Sequence, residues 1–208
     1  MIDKRIFAGN KYWSFELLKV LRGNEADVRE LDLAENFTSQ PIRWRRPIFG
    51  VLKINFDRAW CGKTGKGGYG WVLRDFAGML IAAGGVGGLL FSSAAMAEAA
   101  AIRAAVQICI EMGCQNVGVE SDSLMLIRMI NKEYAIDATL ERFIYDIGLL
   151  VTQLRSVRFM FVKRNGNAAA HTFASYVASH GGAFRWDVLG PEFLFNILVE
   201  DVNISIRI

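Results

Sequence analysis

Along the chain, polar and apolar positions change period several times, and each change marks an element. VLKINFD, from Val51 to Asp57, alternates apolar and polar residues as a half-buried strand does. After the turn CGKTGKGGYG, GWVLRD (Gly70 to Asp75) and GMLIAAGG (Gly78 to Gly85) read as a second and a third strand. Their short connections favour antiparallel pairing. An Ala-rich segment from Ser93 to Met112 predicts a long helix with Ser92 or Ser93 as its N-cap. NVGVE (Asn116 to Glu120) is the fourth strand, and helical patterns follow over Ser123 to Asn131 and Thr139 to Leu154. SVRFMFV (Ser156 to Val162) is the fifth strand, and Asn167 to Ser179 closes the pattern as a helix. This order predicts an α/β layered domain in which helical crossovers make strands 1, 4 and 5 parallel.

Residues 1–46 have no comparable pattern. Tyr12 to Leu21 suits a short amphipathic helix, whereas Gly23 to Gln40 is charged and weakly periodic. The composition changes at Val51. The expected organisation is a lead-in over 1–46, partly helical or disordered, a domain over 47–182 and a tail over 183–208. The run from Phe76 to Ala97 is uncharged and long enough to span a membrane. Its glycines at 78, 84, 85, 87 and 88 break such a helix, so a strand, a turn and a helix start are expected there, with no membrane partner.

The net charge of +3 permits a polyanionic partner without requiring one. Three cysteines make no disulfide framework, and the first residues lack a secretory pattern. An intracellular setting, cytoplasmic or nuclear, is expected on both counts. Two nucleotide motifs fail on inspection. CGKTGKGG has Asp57 where a phosphate loop needs its first glycine, and Gly65, Gly67 and Gly70 precede a strand rather than a helix. No small-molecule cofactor is therefore expected. His171 and His180 are nine residues apart with no neighbouring cysteine, which speaks against an ordinary zinc site.

Sites in such sheets gather at the carboxyl ends of parallel strands. Asp57 lies at or within the end of strand 1, Asp122 follows strand 4, and Glu98 sits near the start of the long helix, where small alanines allow close approach to the sheet. Each has a simpler role: turn residue, helix-start charge and, for Asp122 beside Ser121 and Ser123, N-cap. Together without a cation, the three would repel and raise one another's pKa. As hard oxygen ligands they suit Mg²⁺.

KINFDRAW, GGYGWVLRDFAG, AEAAAIRAA, VGVESDSLMLIRMIN and VKRNGNAAAHTFA occur in that order. The ordered set resembles the ribonuclease H-like domains of the plant type, which occur alone or at the end of reverse transcriptases of non-LTR retroelements. It covers about residues 44 to 200, including the tail WDVLGPEFLFNILVED. The resemblance implies a five-stranded mixed sheet in the order 3-2-1-4-5, flanked by helices. It implies metal-dependent hydrolysis of the RNA strand of an RNA–DNA hybrid, with Asp57, Glu98 and Asp122 holding two Mg²⁺ ions and Mn²⁺ as the substitute. It gives Glu120 no catalytic role.

Two positions depart from that family's pattern. Arg58 replaces the usual glycine after the first aspartate, where it either grips a phosphate or blocks close approach. His171 stands where a fourth carboxylate is usual, and neutral imidazole is the poorer Mg²⁺ ligand. His171 is thus a catalytic candidate, with a packed helix histidine as its plain alternative. Arg58, Lys63, Lys66 and Asn167 are the nucleic-acid-binding candidates, Asn167 doubling as a helix cap. Arg43, Arg45 and Arg46 are either a solvated fringe or a track for a duplex backbone. A nucleic-acid-binding domain with weakened catalysis, or a scaffold with neither property, are the competing readings.

Overall fold

The protein is described here from a computed structural model, which defines residues 43–202. The readings for residues 1–42 and 203–208 lie outside the described residues. Six strands form one sheet: β1 (Leu52–Trp60), β2 (Lys66–Arg74), β3 (Leu80–Leu90), β4 (Asn116–Ser121), β5 (Ser156–Phe161) and β6 (Gly182–Trp186). The helices are α1 (Ala94–Glu111), α2 (Leu124–Ile130), α3 (Glu141–Val151), α4 (Ala168–His180) and α5 (Phe195–Val202), with a 3₁₀ turn over Arg164–Asn167 before α4.

The sheet order is β5-β4-β1-β2-β3-β6. It contains the expected 3-2-1-4-5 arrangement and adds β6, which pairs antiparallel with β3 from Ala83↔Trp186 to Gly87↔Gly182. β4 is parallel to both β1 and β5. The uncharged run from Phe76 is a turn, β3 and the start of α1. Among the described residues, no helix is long and apolar enough to cross a membrane.

Alternation along β1 sorts its side chains between two layers. Ile54 and Phe56 enter the main core with Ala101, Ile102, Val106 and Val119, beneath α1 and α3. Ser93 caps α1, its hydroxyl accepting from the Met96 amide at 3.2 Å. Lys53, Asn55 and Asp57 alternate with those apolar residues and are nonetheless buried. On the second layer α4 lies against the sheet, where Val72, Ala83, Phe173 and Val177 form a smaller cluster. Glycine makes that approach possible: a Cβ on Gly70 would lie 2.6 Å from the Ala174 nitrogen.

Burying polar groups costs free energy unless each finds a partner, and here they partner one another at every point but Arg74 Nε, which makes no hydrogen bond. Glu120 pairs with Lys53 at 2.6 Å and accepts from Asn55 Nδ2 at 2.9 Å. Asn55 Oδ1 accepts from Trp44 Nε1 (2.8 Å) and Arg74 Nη2 (3.2 Å). The Arg74 guanidinium lies 3.5 Å from the Trp44 ring centroid and bonds Asp201 of α5 at 2.7 Å. Arg43 and Arg46 donate to backbone carbonyls of Glu200 and Val202, so those two arginines help hold α5.

Removing one member of a buried ion pair strands the other charge. Asp201→Ala is therefore expected to lower the unfolding free energy by about 3–5 kcal/mol in urea titrations. The double change Arg74→Met with Asp201→Ala should recover most of that loss. A single-variant cost within about 0.5 kcal/mol, typical of neutral surface changes, would show that α5 docks without this pair.

Candidate metal and nucleic-acid site

The parallel register pairs Asn55 with Glu120. Continued by two residues, it sets Asp57 level with Asp122, just beyond the end of β4. Glu98, in the second turn of α1, reaches the same place from the other layer. Asp57, Glu98 and Asp122 each present a carboxylate oxygen within 4.8 Å of the other two. Asp57 and Glu98 are almost fully buried, with 2% and 4% exposure, and Asp122 is half-buried.

Each carboxylate is held by specific partners. Asp57 Oδ1 accepts from the Arg58 amide at 2.7 Å, and its Oδ2 lies 2.7 Å from His171 Nδ1. Glu98 Oε1 accepts from the Ser121 hydroxyl at 3.0 Å, and that same Ser121 oxygen accepts from the Ser123 amide. Ser121, rather than Asp122, thus serves the start of α2. Asp122 is left to receive Arg164 Nη1 at 2.8 Å.

The electrostatics follow from burial. Desolvation, and then the neighbouring Asp57, push the Glu98 carboxyl up from 4.5 to about 7. Desolvation, followed by repulsion from Asp122, also raises Asp57. Both shifts record negative charge gathered where water is scarce. Hard oxygen donors so placed suit Mg²⁺ or Mn²⁺.

Some of the other residues fall elsewhere than their sequence suggested. Arg58 turns inward, its Nε 3.0 Å from Glu98 Oε2. The contact lacks hydrogen-bond alignment and is mainly coulombic. Asn167 does not cap α4 and, at 1% exposure, has no side-chain surface for nucleic acid. Its Nδ2 donates to the Phe56 carbonyl at 2.9 Å and its Oδ1 accepts from Asn55, because the 3₁₀ turn folds it under α4. Lys63 and Lys66 are exposed at the β1–β2 turn, past Trp60, the last residue of the strand that carries Asp57. His171, on α4, faces Asp57 and is 38% exposed at its side chain.

Arg164 was not a candidate from the sequence. Its Nη1 also lies 3.5 Å from Asp57 Oδ2, and its Nη2 is 2.8 Å from His171 Nδ1. The one available signal was position, a basic residue between the fifth strand and the asparagine that precedes His171. A separate cleft of about 400 Å³ runs between α1 and the β3–β6 edge, lined by Tyr69, Trp71, Arg103 and Arg185, and shares no residue with the carboxylates.

Two acids placed where the parallel pairing of β1 and β4 ends, joined by a third from α1 and set within this sheet order, define a ribonuclease H-like domain. A family model described as Reverse transcriptase-like matches residues 55–177, more than half of the chain, and the chain belongs to that family. No relative was detected among curated proteins. Solved structures with the same fold include the N-terminal RNase H domain of a Mycobacterium tuberculosis protein, at 19% identity and a TM-score of 0.58. That match covers 62% of this chain and 94% of the other. RNase H1 from Halobacterium salinarum matches at 23% identity and 0.58, covering 61% and 96%. LC11-RNase H1, solved in complex with an RNA/DNA hybrid, matches at 20% identity and 0.58, covering 62% and 97%.

A carboxyl whose folded pKa lies above its unfolded value attracts protons to the folded state. Stability from Glu98 is therefore lost as pH rises from 4.5 to about 7. Glu98→Gln should raise the melting temperature of the metal-free protein at pH 8, by roughly 2–4 °C for each kcal/mol of charge burial relieved. The difference should vanish near pH 4. An equal or lower melting temperature at pH 8 would contradict this placement of the charge.

Proposed function

We propose that the protein is a divalent-metal-dependent endonuclease that hydrolyses the RNA strand of RNA–DNA hybrids. The observation that carries this reading is the approach of Asp57, Glu98 and Asp122 to within 4.8 Å where the pairing of β1 with β4 ends. Family membership and a fold match to a protein solved with an RNA/DNA hybrid support it.

In the reaction a water oxygen forms a bond to phosphorus and the P–O3′ bond breaks, leaving a 3′-hydroxyl and a 5′-phosphate. Mg²⁺ or Mn²⁺ held by the three carboxylates would supply a more acidic water and stabilise charge on the departing oxygen. The chain's own residues do the rest. Ser121 fixes the Glu98 carboxylate, and the Arg58 amide fixes Asp57. His171, anchored on Asp57 yet partly exposed, moves a proton between the reacting centre and solvent. The exposed Lys63 and Lys66 attract the duplex backbone, making affinity fall with salt. Discrimination for a strand carrying 2′-hydroxyls fits recognition of A-form shape.

A second reading is a hybrid-binding domain without efficient turnover. It is favoured by the inward turn of Arg58 onto Glu98, which places a guanidinium among the carboxylates.

A labelled hybrid incubated with Mg²⁺ or Mn²⁺ distinguishes the two. The first reading expects cleavage in the RNA strand that falls by more than about 100-fold in Asp57→Asn and Asp122→Asn, since even outer-shell changes at metal sites cost 10–100-fold. Salt-sensitive binding with no product in either metal would replace it by the second.

A further inference from the structure

We propose that the apolar pole at the foot of the sheet, built by three turns, is the seat of the chain's own segment Tyr12–Leu21, which folds back onto the domain that follows it. The surface lies away from the carboxylates, and the inference does not depend on the nuclease reading.

The pole is made of side chains that burial would ordinarily hide. Ile48 and Phe49 stand on the turn before β1, Phe76 and Met79 on the β2–β3 turn, and Val188 and Leu189 on the turn after β6. All six are exposed, Phe49 at 82% and Leu189 at 91%. The three turns adjoin one another. The Phe49 and Phe76 rings meet edge to face at 4.8 Å between centroids, and Gly190 abuts Leu80, the residue after Met79. The antiparallel pairing of Lys53 with Arg74 sets this pole at the starting end of β1, below Asp57.

These tips are held by hydrogen bonds. The Val51 amide donates to the Ile48 carbonyl at 3.2 Å. Asp75 Oδ1 accepts from the Ala77 and Met79 amides, each at 2.9 Å, and Asp187 Oδ1 accepts from the Leu189 amide at 3.2 Å. Large apolar groups displayed side by side on fixed turns mark an interaction site, whereas single exposed ones do not.

Three observations name the occupant. The described chain enters at the patch: Trp44 lies against Gly78 of the β2–β3 turn, and Arg43 and Arg46 bond carbonyls of α5 beside it. The residues before Arg43 are therefore tethered at the pole itself. Among them Trp13, Leu17, Val20 and Leu21 recur at helical spacing, an apolar stripe to match the apolar turns. The 21 residues between, Arg22 to Ile42, carry five acids against two arginines, opposite in charge to Arg43, Arg45 and Arg46 at the point of entry. As a flexible tether that length spans about 25 Å. The segment is thus supplied at roughly millimolar effective concentration, against which a second copy would have to compete from solution.

Photo-cross-linking on the full chain tests this, with Met79→p-benzoylphenylalanine as the probe. Irradiation at micromolar concentration should give cross-links within one chain, mapped by peptide mass spectrometry to residues 12–21. Leu189→p-benzoylphenylalanine should find the same partner. Leu17→Asp, which sets a charge in the apolar stripe, should remove these cross-links, whereas Ser14→Asp, outside the stripe, should leave them unchanged. Melting curves on each variant establish that the domain is folded. Adducts of dimer mass would show a second copy on the pole, and cross-links confined to residues 43–202, or none, would show it bare; either result overturns the proposal. Undiminished cross-linking in Leu17→Asp would overturn it as well.

Discussion

The structure depends on one electrostatic constraint: a carboxylate at 2% exposure must be kept charged and partnered within the central strand. Asp57 meets that demand with partners from three parts of the chain. Its own neighbour donates an amide, α4 contributes His171, the turn before α4 contributes Arg164, and α1 and β4 bring further acids whose repulsion must be balanced. Each partner arrives on a separate element, so the site forms only when the sheet order and the helix positions are both correct. Fold and chemistry are therefore coupled at this point more tightly than anywhere else in the described residues.

The same alternation that puts Asp57 on the polar side of β1 puts Lys53 and Asn55 there as well. Their burial creates a second network, running from Glu120 through Asn55 to Arg74 and Asp201. A network of this kind is stable only when its members are satisfied, and in low dielectric its bonds are strong. Asn55 is its junction: it touches Trp44 at one end of the described chain, Arg74 with Asp201 at the other, and Asn167 beneath the His171 helix. The segments flanking the central sheet thereby bear on the strand that carries the first aspartate. Glu120, two residues before Asp122 and similar in charge, has Lys53 beside it and serves this brace rather than the carboxylate cluster.

Much of this was legible in the residue pattern, and the failures have physical reasons. Alternation in VLKINFD and the Ala-rich run after Ser93 were visible because burial on one face imposes a period on the sequence. Asp57 and Asp122 could be brought together because parallel strands place their carboxyl ends side by side, and Glu98 because small alanines let its helix press close to the sheet. β6 escaped notice: GAFRW is short, begins on the second of two glycines and lies at the sheet edge, where pairing needs little apolar alternation. Arg164 had no period to announce it, since its partners lie 42 and more residues away apart from His171. Asn167 looked like a cap, but the turn preceding α4 rotates it inward to a strand carbonyl. Hydrogen-bond partners set by tertiary folding leave no local mark in a sequence.

The central proposal is that Asp57, where β1 parts from β4, and Asp122, just past β4, form with Glu98 the place among the described residues where a divalent ion is held. Paramagnetic broadening of backbone amide signals during a substoichiometric Mn²⁺ titration measures this directly. The account predicts selective loss of the signals of Arg58, Ser121, Asp122 and their neighbours, with the β6 edge and the Asp201 region unaffected. Broadening centred elsewhere, or spread evenly over exposed acidic residues, would contradict it.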